Sequence, residues 1–435
     1  MPVLIPKLKK LRGTVTFPGD KSIAHRAIII SSIAKGRCVI EHFPFNNDCL
    51  TTLEIFKLLG VKIKVIKNKE KIIVYGRGIG NLKKPQKSLY CKSSGTTIRL
   101  LAGILSAQRF NSSLTASKTL SKRPMLRITR PLRLMSADIK GKLRQKEEYP
   151  PLKIKGKSLK GIYYKLPIAS AQIKSAIFLA GIYASGKTTV EEVFASRDHT
   201  ERMLKIFKAR LTRKNRKITI HKVKELIAVK SLFIPGDISS AAFFIVASCI
   251  LPGSRIKVRN LGINPTRSGI IKVLKRMGAD IEITRKNDKV EPVADLDVCY
   301  SPLKATKIKV KEIPLLIDEV PILMVAACFA KGTTIIEGVN ELRVKETDRV
   351  RSMVDNLIKM AADIKIVRKN KRQDLVIRGV RNLKSASLKS FQDHRTAMSL
   401  IIASLGLSKA ARIDNLSCIN KSFPEFFKIL KKLKS

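Results

Sequence analysis

The stretch from Pro18 to Arg26 places a lysine, a serine and an arginine at the expected start of an apolar helix. A strand and a Pro-Gly turn come before it, and Lys21, Ser22 and Arg26 fall on the first turn and a half of the helix. The first N–H groups of a helix have no partner within it, and its N-terminal end is partly positive, so anions bind there, more tightly beside a lysine and an arginine. The stretch therefore predicts a site for a phosphate or a carboxylate.

A pair of carboxylates, Asp318 and Glu319, interrupts a long apolar stretch. A carboxylate that enters an apolar helix is either its N-cap or a general base. The spacing of the residues does not decide between the two.

The run from Glu341 to Arg349 mixes three bases with three acids. We expect it to begin an amphipathic helix that ends at Met360. On that helix Lys345 and Arg349 would share one face, and Glu346 would lie one residue further around the helix from Lys345. Taken alone, the run is better explained as a charged helix start than as a site.

A third charged group, Asp393-His394-Arg395, opens another apolar helix. It is a cap, a structural ion pair or an anion clamp. Because a lone histidine is more often structural than catalytic, Arg395 is the candidate ligand.

The opening motif returns at 235–242, and the chain repeats one unit six times: an apolar helix, a strand, an amphipathic helix and a second strand. The pattern predicts an α/β (α+β) protein of two similar domains with three units each, residues 1–20 plus 235–435 and residues 21–234. We expect the first 20 residues to form a strand that returns to the second domain. The apolar helices are expected to begin near Lys21, Gly95, Ser170, Asp237, Asp318 and Asp393.

The helix starts carry most of the unusual polar residues. If all six starts point into one cleft between the domains, its walls are positive before any side chain is counted. Such a cleft would suit two small polyanions.

The composition limits the alternatives. The net charge of +54 suggests nucleic-acid binding, but the basic clusters at 62–71, 205–224, 368–372 and 428–434 are spread along the chain without aromatic RNA-binding motifs, so solvated surfaces explain them better. We expect no specific nucleic-acid partner. No apolar run is long enough to span a membrane, and no signal segment is visible, which favours a cytoplasmic protein without a membrane partner.

Two further sequence features could suggest a zinc ion or a nucleotide, but neither supports such a site. The seven cysteines form no C-x-x-C pair, so we expect reduced, mostly buried thiols and no zinc site. Residues 181–188 match the P-loop pattern but follow a helix and precede a strand, the reverse of a P-loop, so we reject a nucleotide site there.

Several motifs, in one order along nearly the whole chain, resemble EPSP synthase, the 3-phosphoshikimate 1-carboxyvinyltransferase family. The stretches that carry this resemblance are 18–26, 94–100, 122–125, 170–176, 196–202, 264–267, 318–321, 343–349, 393–398 and 421–424.

The resemblance implies an enolpyruvyl transferase fold, an inside-out α/β barrel in each domain built from three βαβαββ units. It implies that the chain joins phosphoenolpyruvate to the 5-hydroxyl of shikimate 3-phosphate and releases phosphate, in the shikimate pathway of aromatic amino acid biosynthesis. No metal or organic cofactor is implied, and we expect a monomer.

The resemblance also assigns roles to individual residues. The base for the attacking hydroxyl is Asp318, and Glu346 and Lys21 are the candidates for proton transfer. Shikimate 3-phosphate would be bound by Lys21, Ser22, Arg26, Ser170, Ala171, Gln172, Ser196, Asp318 and Lys345. Phosphoenolpyruvate would be bound by Lys21, Gly95, Arg123, Gln172, Arg349, Arg395 and Lys421.

The sequence departs from the family pattern at a few positions. Lys92-Ser93 and Ala116-Ser117 replace usual residues beside the proposed site, and Ser136 and Ala361 replace glycines that commonly end the second helices. Two rival functions stay open at this stage. One is the UDP-N-acetylglucosamine enolpyruvyl transferase, whose reactive cysteine is absent from the loop at 111–123, and the other is a nucleic-acid-binding protein on an inactive fold.

Overall fold

A computed structural model describes residues 2–5, 7–287, 290–370 and 372–434. Position 371, in one of the basic clusters, lies outside the described residues. The chain divides into two compact units. Gly19–Ile234 is called the continuous unit here, and Met1–Pro18 with Pro235–Ser435 the discontinuous unit.

The strands, in chain order, are β1 (Val3–Ile5), β2 (Arg12–Thr16), β3 (Lys35–Glu41), β4 (Lys62–Ile66), β5 (Lys71–Arg77), β6 (Leu89–Tyr90), β7 (Asn111–Thr115), β8 (Asp138–Arg144), β9 (Glu147–Lys155), β10 (Tyr163–Lys165), β11 (Lys187–Glu191), β12 (Leu211–Lys214), β13 (Lys217–His221), β14 (Ser231–Phe233), β15 (Arg255–Gly262), β16 (Ile281–Asn287), β17 (Val293–Cys299), β18 (Lys307–Ile308), β19 (Thr333–Ile336), β20 (Asp363–Lys369), β21 (Arg372–Arg378), β22 (Ser387–Leu388) and β23 (Ala411–Ile413).

The α-helices are α1 (Lys21–Ile33), α2 (Asn47–Leu58), α3 (Gly95–Leu105), α4 (Leu126–Leu134), α5 (Ala171–Gly181), α6 (His199–Ile206), α7 (Ile238–Ile250), α8 (Gly269–Arg276), α9 (Val320–Cys328), α10 (Arg349–Lys359), α11 (His394–Leu405), α12 (Ser417–Ser422) and α13 (Phe426–Leu433).

The continuous unit holds three four-stranded sheets, with strand orders β14-β3-β5-β4, β6-β7-β9-β8 and β10-β11-β13-β12. In each sheet the first pair of strands is parallel and the other two pairs are antiparallel. A helix connects the parallel strands β6 and β7, and another connects β10 and β11, which gives the βαβ crossovers of a mixed α/β fold.

The discontinuous unit repeats the arrangement with strand orders β2-β15-β17-β16 and β18-β19-β21-β20, and β2 pairs in parallel with β15. The third sheet has only three described strands, in the order β1-β23-β22. Within the described residues, the sixth repeat of the predicted helix-strand-helix-strand unit therefore lacks its second strand. After β23 the chain forms α12 and α13, and β1 from the start of the chain pairs antiparallel with β23 instead.

Apolar helices fill the interior of each unit, and the sheets lie outside them. Each unit has its own core of buried apolar residues. The strands alternate buried and exposed positions, as along β9, because one sheet face packs on the helices and the other faces water. Helices α3 and α5 approach so closely that a Cβ at Gly103 would lie 2.2 Å from the Ala176 carbonyl oxygen. Only glycine fits at that contact.

Short polar side chains fix the starts of five apolar helices, because each accepts a hydrogen bond from an N–H of the first turn. These N-caps are Asp20, Ser94, Ser170, Asp237 and Asp393. The start of α9 differs, since its N-cap position is Glu319 and no side chain caps it. Asp318 lies before the helix, so it is not the N-cap that the sequence allowed.

The expected helix from Glu341 to Met360 is also wrong in its first half. Val339–Val344 form a 3₁₀ turn, and α10 begins only at Arg349, because the Asp348 carboxylate accepts the Arg351 N–H at 3.0 Å. Lys345 has an extended backbone. Lys345 and Arg349 therefore do not share a helical face.

None of the helices in the described ranges has the length and apolar character needed to cross a membrane. All seven cysteines are free thiols, six of them buried and Cys299 partly buried, which confirms the prediction of mostly buried thiols.

Candidate active site

The start of α1 carries Lys21, Ser22 and Arg26. Lys21 Nζ lies 3.7 Å from Asp48 Oδ2, and the Lys21 side chain is 21% exposed. Arg26 is buried, and its Nη1 donates to the Ser22 carbonyl oxygen at 2.8 Å. A partly exposed ammonium and a buried guanidinium therefore both lie at the start of α1.

Arg26 also joins three helices. Its Nε donates to Thr200 Oγ1 on α6 at 2.6 Å, and its Nη2 donates to Ser175 Oγ on α5 at 2.9 Å. These bonds hold the start of α1 against α5 and α6. Helix α5 begins after its N-cap Ser170 and carries Gln172, and α6 begins three residues after Ser196.

A buried histidine, which the sequence reasoning missed, stabilises the same region. His25 Nδ1 lies 2.7 Å from Thr52 Oγ1, which lies 2.7 Å from Thr97 Oγ1, so the contacts link α1, α2 and α3. Burial, helped by the charges of Arg26 and Lys21, lowers the pKa of His25 to about 3. The imidazole is therefore neutral at physiological pH and serves as a structural hydrogen-bonding group.

The start of α3 holds Arg123 against the backbone. Ser94 caps the helix at Thr97 N, and a Cβ added to Gly95 would lie 2.9 Å from Arg123 Nη1. A side chain at this position would displace the guanidinium from the helix start. The structure thus brings Gly95 and Arg123 together at one helix start.

The start of α5 presents Ser170, Ala171 and Gln172. Ser170 is the N-cap, and Ala171 is the first helical residue. Gln172 is fixed at both ends of its amide, since Arg99 Nη1 donates to Oε1 at 2.5 Å and Nε2 donates to Thr96 Oγ1 at 3.0 Å. These bonds orient the Gln172 amide and leave one of its N–H groups for a ligand.

Ser196 lies in the segment between β11 and α6 and is 2% exposed. Its N–H and its hydroxyl both donate to Glu192 Oε1, at 3.0 Å and 2.6 Å. Glu192, which the sequence reasoning did not single out, therefore fixes this candidate ligand.

In the discontinuous unit, Asp318 meets two arginines. Its Oδ1 lies 3.3 Å from Arg349 Nη1 and its Oδ2 lies 3.8 Å from Arg395 Nη2, while Arg395 Nη1 donates to the Asp318 carbonyl oxygen at 2.8 Å. The Asp318 side chain is 17% exposed. The two guanidinium groups favour its ionised form by charge attraction.

Arg349 is 2% exposed and contacts two further carboxylates. Its Nε lies 2.9 Å from Asp393 Oδ2, and its Nη2 lies 2.5 Å from Glu346 Oε2. Burial by itself would lower the pKa of Arg349, but Asp393, Glu346 and Asp318 together raise it above its ordinary value. Arg349 is therefore permanently charged and held by three acids.

The two lysines assigned to the discontinuous unit lie outside α10. Lys345 is half-buried between the 3₁₀ turn and α10, and Lys421 is exposed on α12.

A second buried cluster lies beside Asp318 and was also missed. Arg267 Nη1 lies 2.9 Å from Glu319 Oε1 and its Nη2 lies 3.2 Å from Asp237 Oδ1, while Ser239 bonds to both Arg267 and Glu319. Both Asp237 and Arg267 lie in motif stretches of the sequence, which was the available signal. Their partners, however, are 30 or more residues away along the chain.

Each unit thus gathers its own set of candidate residues. The continuous unit assembles cations, hydroxyls and an amide at helix starts, a set that suits an oxyanion. The discontinuous unit assembles carboxylates with arginines, a set that suits proton transfer beside an anion. Within the described residues, no group of three or more His, Cys, Asp or Glu side chains is placed to hold a metal ion.

Comparison with known proteins identifies the family. The family model described as EPSP synthase (3-phosphoshikimate 1-carboxyvinyltransferase) matches residues 5–430. The 3-phosphoshikimate 1-carboxyvinyltransferase of Petrotoga mobilis is 45% identical over 441 residues, which is 100% of both chains.

Solved structures agree with this result. EPSP synthase from Acinetobacter baumannii superposes with a TM-score of 0.87 at 40% identity, over 99% of this chain and 97% of that one. The enolpyruvyl transferase NikO from Streptomyces tendae superposes with a TM-score of 0.76 at 16% identity over the same shares, which shows the fold alone. The resemblance read from the motifs is confirmed: the chain belongs to the EPSP synthase (3-phosphoshikimate 1-carboxyvinyltransferase) family.

Proposed function

We propose that this chain transfers the enolpyruvyl group of phosphoenolpyruvate to the 5-hydroxyl of shikimate 3-phosphate, with release of phosphate, in aromatic amino acid biosynthesis. The observation that carries the proposal is the family match over residues 5–430. Full-length relatives bear the name of this enzyme, and the motif residues of the family occur here in order.

In this proposal the continuous unit binds the phosphorylated acceptor. The proposed ligands are Lys21, Ser22, Arg26, Ser170, Ala171, Gln172 and Ser196, and Asp318 and Lys345 are proposed as further ligands. The two substrates carry about five to six negative charges together. A lysine, helix starts and hydroxyls are suited to them because these groups supply hydrogen bonds to phosphate oxygens as well as charge.

Asp318 is the proposed general base. It removes the proton of the 5-hydroxyl while that oxygen attacks C2 of phosphoenolpyruvate, and Glu346 or Lys21 donates a proton to the methylene carbon. The resulting tetrahedral intermediate then loses a methyl proton and phosphate to give the product. Support comes from the contacts of Asp318 with Arg349 and Arg395, which orient its carboxylate.

Phosphoenolpyruvate is proposed to bind Lys21, Gly95, Arg123, Gln172, Arg349, Arg395 and Lys421. Among the three carboxylates on Arg349, Glu346 has the most exposed side chain, at 41%, against 17% for Asp318 and 0% for Asp393. A substrate anion would therefore reach Arg349 most easily by replacing Glu346. That exchange would free the Glu346 carboxyl for proton transfer.

The test is phosphate release from phosphoenolpyruvate, measured with two acceptors on one preparation. We expect turnover with shikimate 3-phosphate and none with UDP-N-acetylglucosamine. Turnover with the sugar nucleotide alone, or with neither acceptor, would refute the proposal.

A matched pair of variants tests the role of Asp318. Asp318→Asn should lower kcat at least about a hundredfold while both substrates still bind, because a base contributes about 10²–10⁴-fold. Asp297→Asn removes a carboxylate whose partner is the exposed Arg255 on β15, and it should leave kcat unchanged. An Asp318→Asn enzyme within a few-fold of wild type would remove Asp318 from the mechanism.

We further propose that the enzyme is a cytoplasmic monomer that needs no metal or organic cofactor and binds no specific nucleic acid or membrane. Light scattering tests whether the enzyme is a monomer, and activity after dialysis against a chelator tests whether it needs a metal ion. Submicromolar RNA affinity with a steep salt dependence, in a preparation without turnover, would support the nucleic-acid alternative instead.

A further inference from the structure

A lysine with no exposed surface lies in the continuous unit, one helical turn after Ser170. The Lys174 side chain is 0% exposed, and its Nζ lies 2.8 Å from Glu192 Oε1 and 2.5 Å from Glu201 Oε1. A buried ammonium is costly unless it is paired, and a buried ion pair adds little net stability compared with an apolar replacement. Its presence beside a candidate ligand therefore calls for a role other than packing.

The lysine and Glu192 together hold all the polar groups of Ser196. The Ser196 N–H and hydroxyl donate to Glu192 Oε1, and Lys174 Nζ donates to the Ser196 carbonyl oxygen at 3.3 Å.

The cluster is balanced in charge. Glu192 Oε2 accepts a second cation, Arg213 Nη2, at 2.6 Å, so two carboxylates meet two cations. Burial raises the pKa of Glu201, although Lys174 opposes the shift. The charge of Glu192 is thus offset on both of its oxygens. A phosphate bound at Ser196 would then face a neutralised carboxylate.

We propose that Lys174 and Glu192 are positioning residues that set Ser196 to bind the phosphate of the acceptor substrate, an inference that rests on the proposed function. When the Ser196 hydroxyl turns its proton toward a phosphate oxygen, Glu192 Oε1 keeps the Ser196 N–H and Lys174 Nζ. No buried acceptor is then left without a donor, so the rotation costs little. Meanwhile the bonds to the Ser196 backbone keep the residue in place.

The test compares two ligands that differ only in the phosphate, shikimate 3-phosphate and shikimate. The variant Lys174→Met with Glu201→Gln removes one cation and one anion together, so that Glu192 keeps Arg213 and the cluster stays neutral. We expect the Kd for shikimate 3-phosphate to rise about tenfold, the loss of one bond to a charged group. The Kd for shikimate and the KM for phosphoenolpyruvate should change less than twofold.

Two controls separate positioning from general loosening. Glu201→Gln alone keeps Lys174 on Glu192 and Ser196, and it should leave both affinities unchanged. In a Ser196→Ala background, the Lys174→Met and Glu201→Gln pair should add no more than a twofold loss, because its effect acts through Ser196. If the paired variant does not fold, Glu192→Gln should show the same preference for loss of the phosphorylated ligand.

Equal loss of affinity for both ligands would show a merely structural role and overturn the proposal. So would unchanged binding of shikimate 3-phosphate in the paired variant and in Glu192→Gln. If the wild-type enzyme turns over shikimate 3-phosphate in the same experiments, the proposed function is supported whether or not the positioning proposal fails. If the wild type neither binds nor converts shikimate 3-phosphate, the proposed function itself is refuted.

Discussion

Five of the second helices end in the same backbone turn, which allows a stability prediction inside one chain. After α2, α4, α6, α8 and α10, one residue adopts a left-handed conformation, and the N–H of the next residue bonds to a carbonyl five positions back, as in Ala362 N to Leu357 O at 2.9 Å. The left-handed residues are Gly60 (φ 84°), Ser136 (φ 70°), Lys208 (φ 68°), Gly278 (φ 87°) and Ala361 (φ 62°).

The change to make is Ala361→Gly. An L-residue in the left-handed region costs about 1–2 kcal/mol, which glycine does not pay. The greater conformational freedom of glycine in the unfolded chain offsets about 0.4–1 kcal/mol of this stabilisation. The difference predicts that Ala361→Gly stabilises the discontinuous unit by about 0.5–1 kcal/mol, and thermal unfolding should shift upward by about 1–4 °C for a unit of this size.

Gly278→Ala is the matched reverse change in the same unit. An added Cβ there would meet no described atom closer than 4.0 Å, so the substitution tests the backbone conformation without a steric clash. We expect a destabilisation of about 0.5–1 kcal/mol. Ala362→Gly, one residue beyond Ala361 and outside the left-handed region, controls for the change of residue type and should also destabilise.

Urea unfolding, followed separately for each transition, measures these changes, because a protein of two units need not unfold in one step. The reasoning fails if Ala361→Gly and Ala362→Gly shift the midpoint in the same direction, or if Gly278→Ala leaves it unchanged.

Three other predictions concern the site. Gly95→Ala should displace the Arg123 guanidinium and raise the KM for phosphoenolpyruvate at least about tenfold in steady-state assays, and an unchanged KM would contradict this. Arg267→Met should lower the free energy of unfolding by about 3–5 kcal/mol because it removes a cation that contacts two buried carboxylates, Glu319 at 2.9 Å and Asp237 at 3.2 Å, and leaves Glu319 with the more distant Arg395 at 3.7 Å. A loss below about 1 kcal/mol in urea titrations would refute this prediction. Folding lowers the pKa of His25 from 6.5 to about 3, so the unfolded chain binds more protons than the folded chain between these pH values. The free energy of unfolding should therefore fall by about 2 kcal/mol from pH 6.5 to pH 5. In His25→Gln the dependence of the free energy of unfolding on pH should be weaker over this range.

The sequence predicted the features that depend on local order. The helix starts near Lys21, Gly95 and Asp393 were predicted because a short polar residue comes just before an apolar run, and the structure begins α1, α3 and α11 at Lys21, Gly95 and His394. The repeat was visible for the same reason, since its period rests on helix and strand patterns within each unit.

Features that depend on distant partners could not be predicted. The start of α10 was misplaced because the charge pattern continues through Glu341 to Arg349, while the actual cap is Asp348. The sequence predicted that the first 20 residues return to the second domain, and Met1–Pro18 do belong to that unit. The pairing of β1 with β23 was not predicted, because no pattern near the C-terminus indicates it. His25 is hydrogen-bonded to a threonine on another helix, so its residue type alone could not reveal its protonation state.

The charged run around Arg349 shows why both explanations of such a run had to stay open. In the discontinuous unit the three buried arginines 267, 349 and 395 contact five carboxylates, those of residues 237, 318, 319, 346 and 393. A cluster that only bound anions would not surround its cations with more acids than it has bases. A merely structural cluster, however, would have no reason to keep Asp318 and Glu346 partly exposed while burying Asp393 completely. The combination of buried acids that fix the arginines and exposed acids that solvent can reach is what a site needs when it must bind an anion and move a proton beside it.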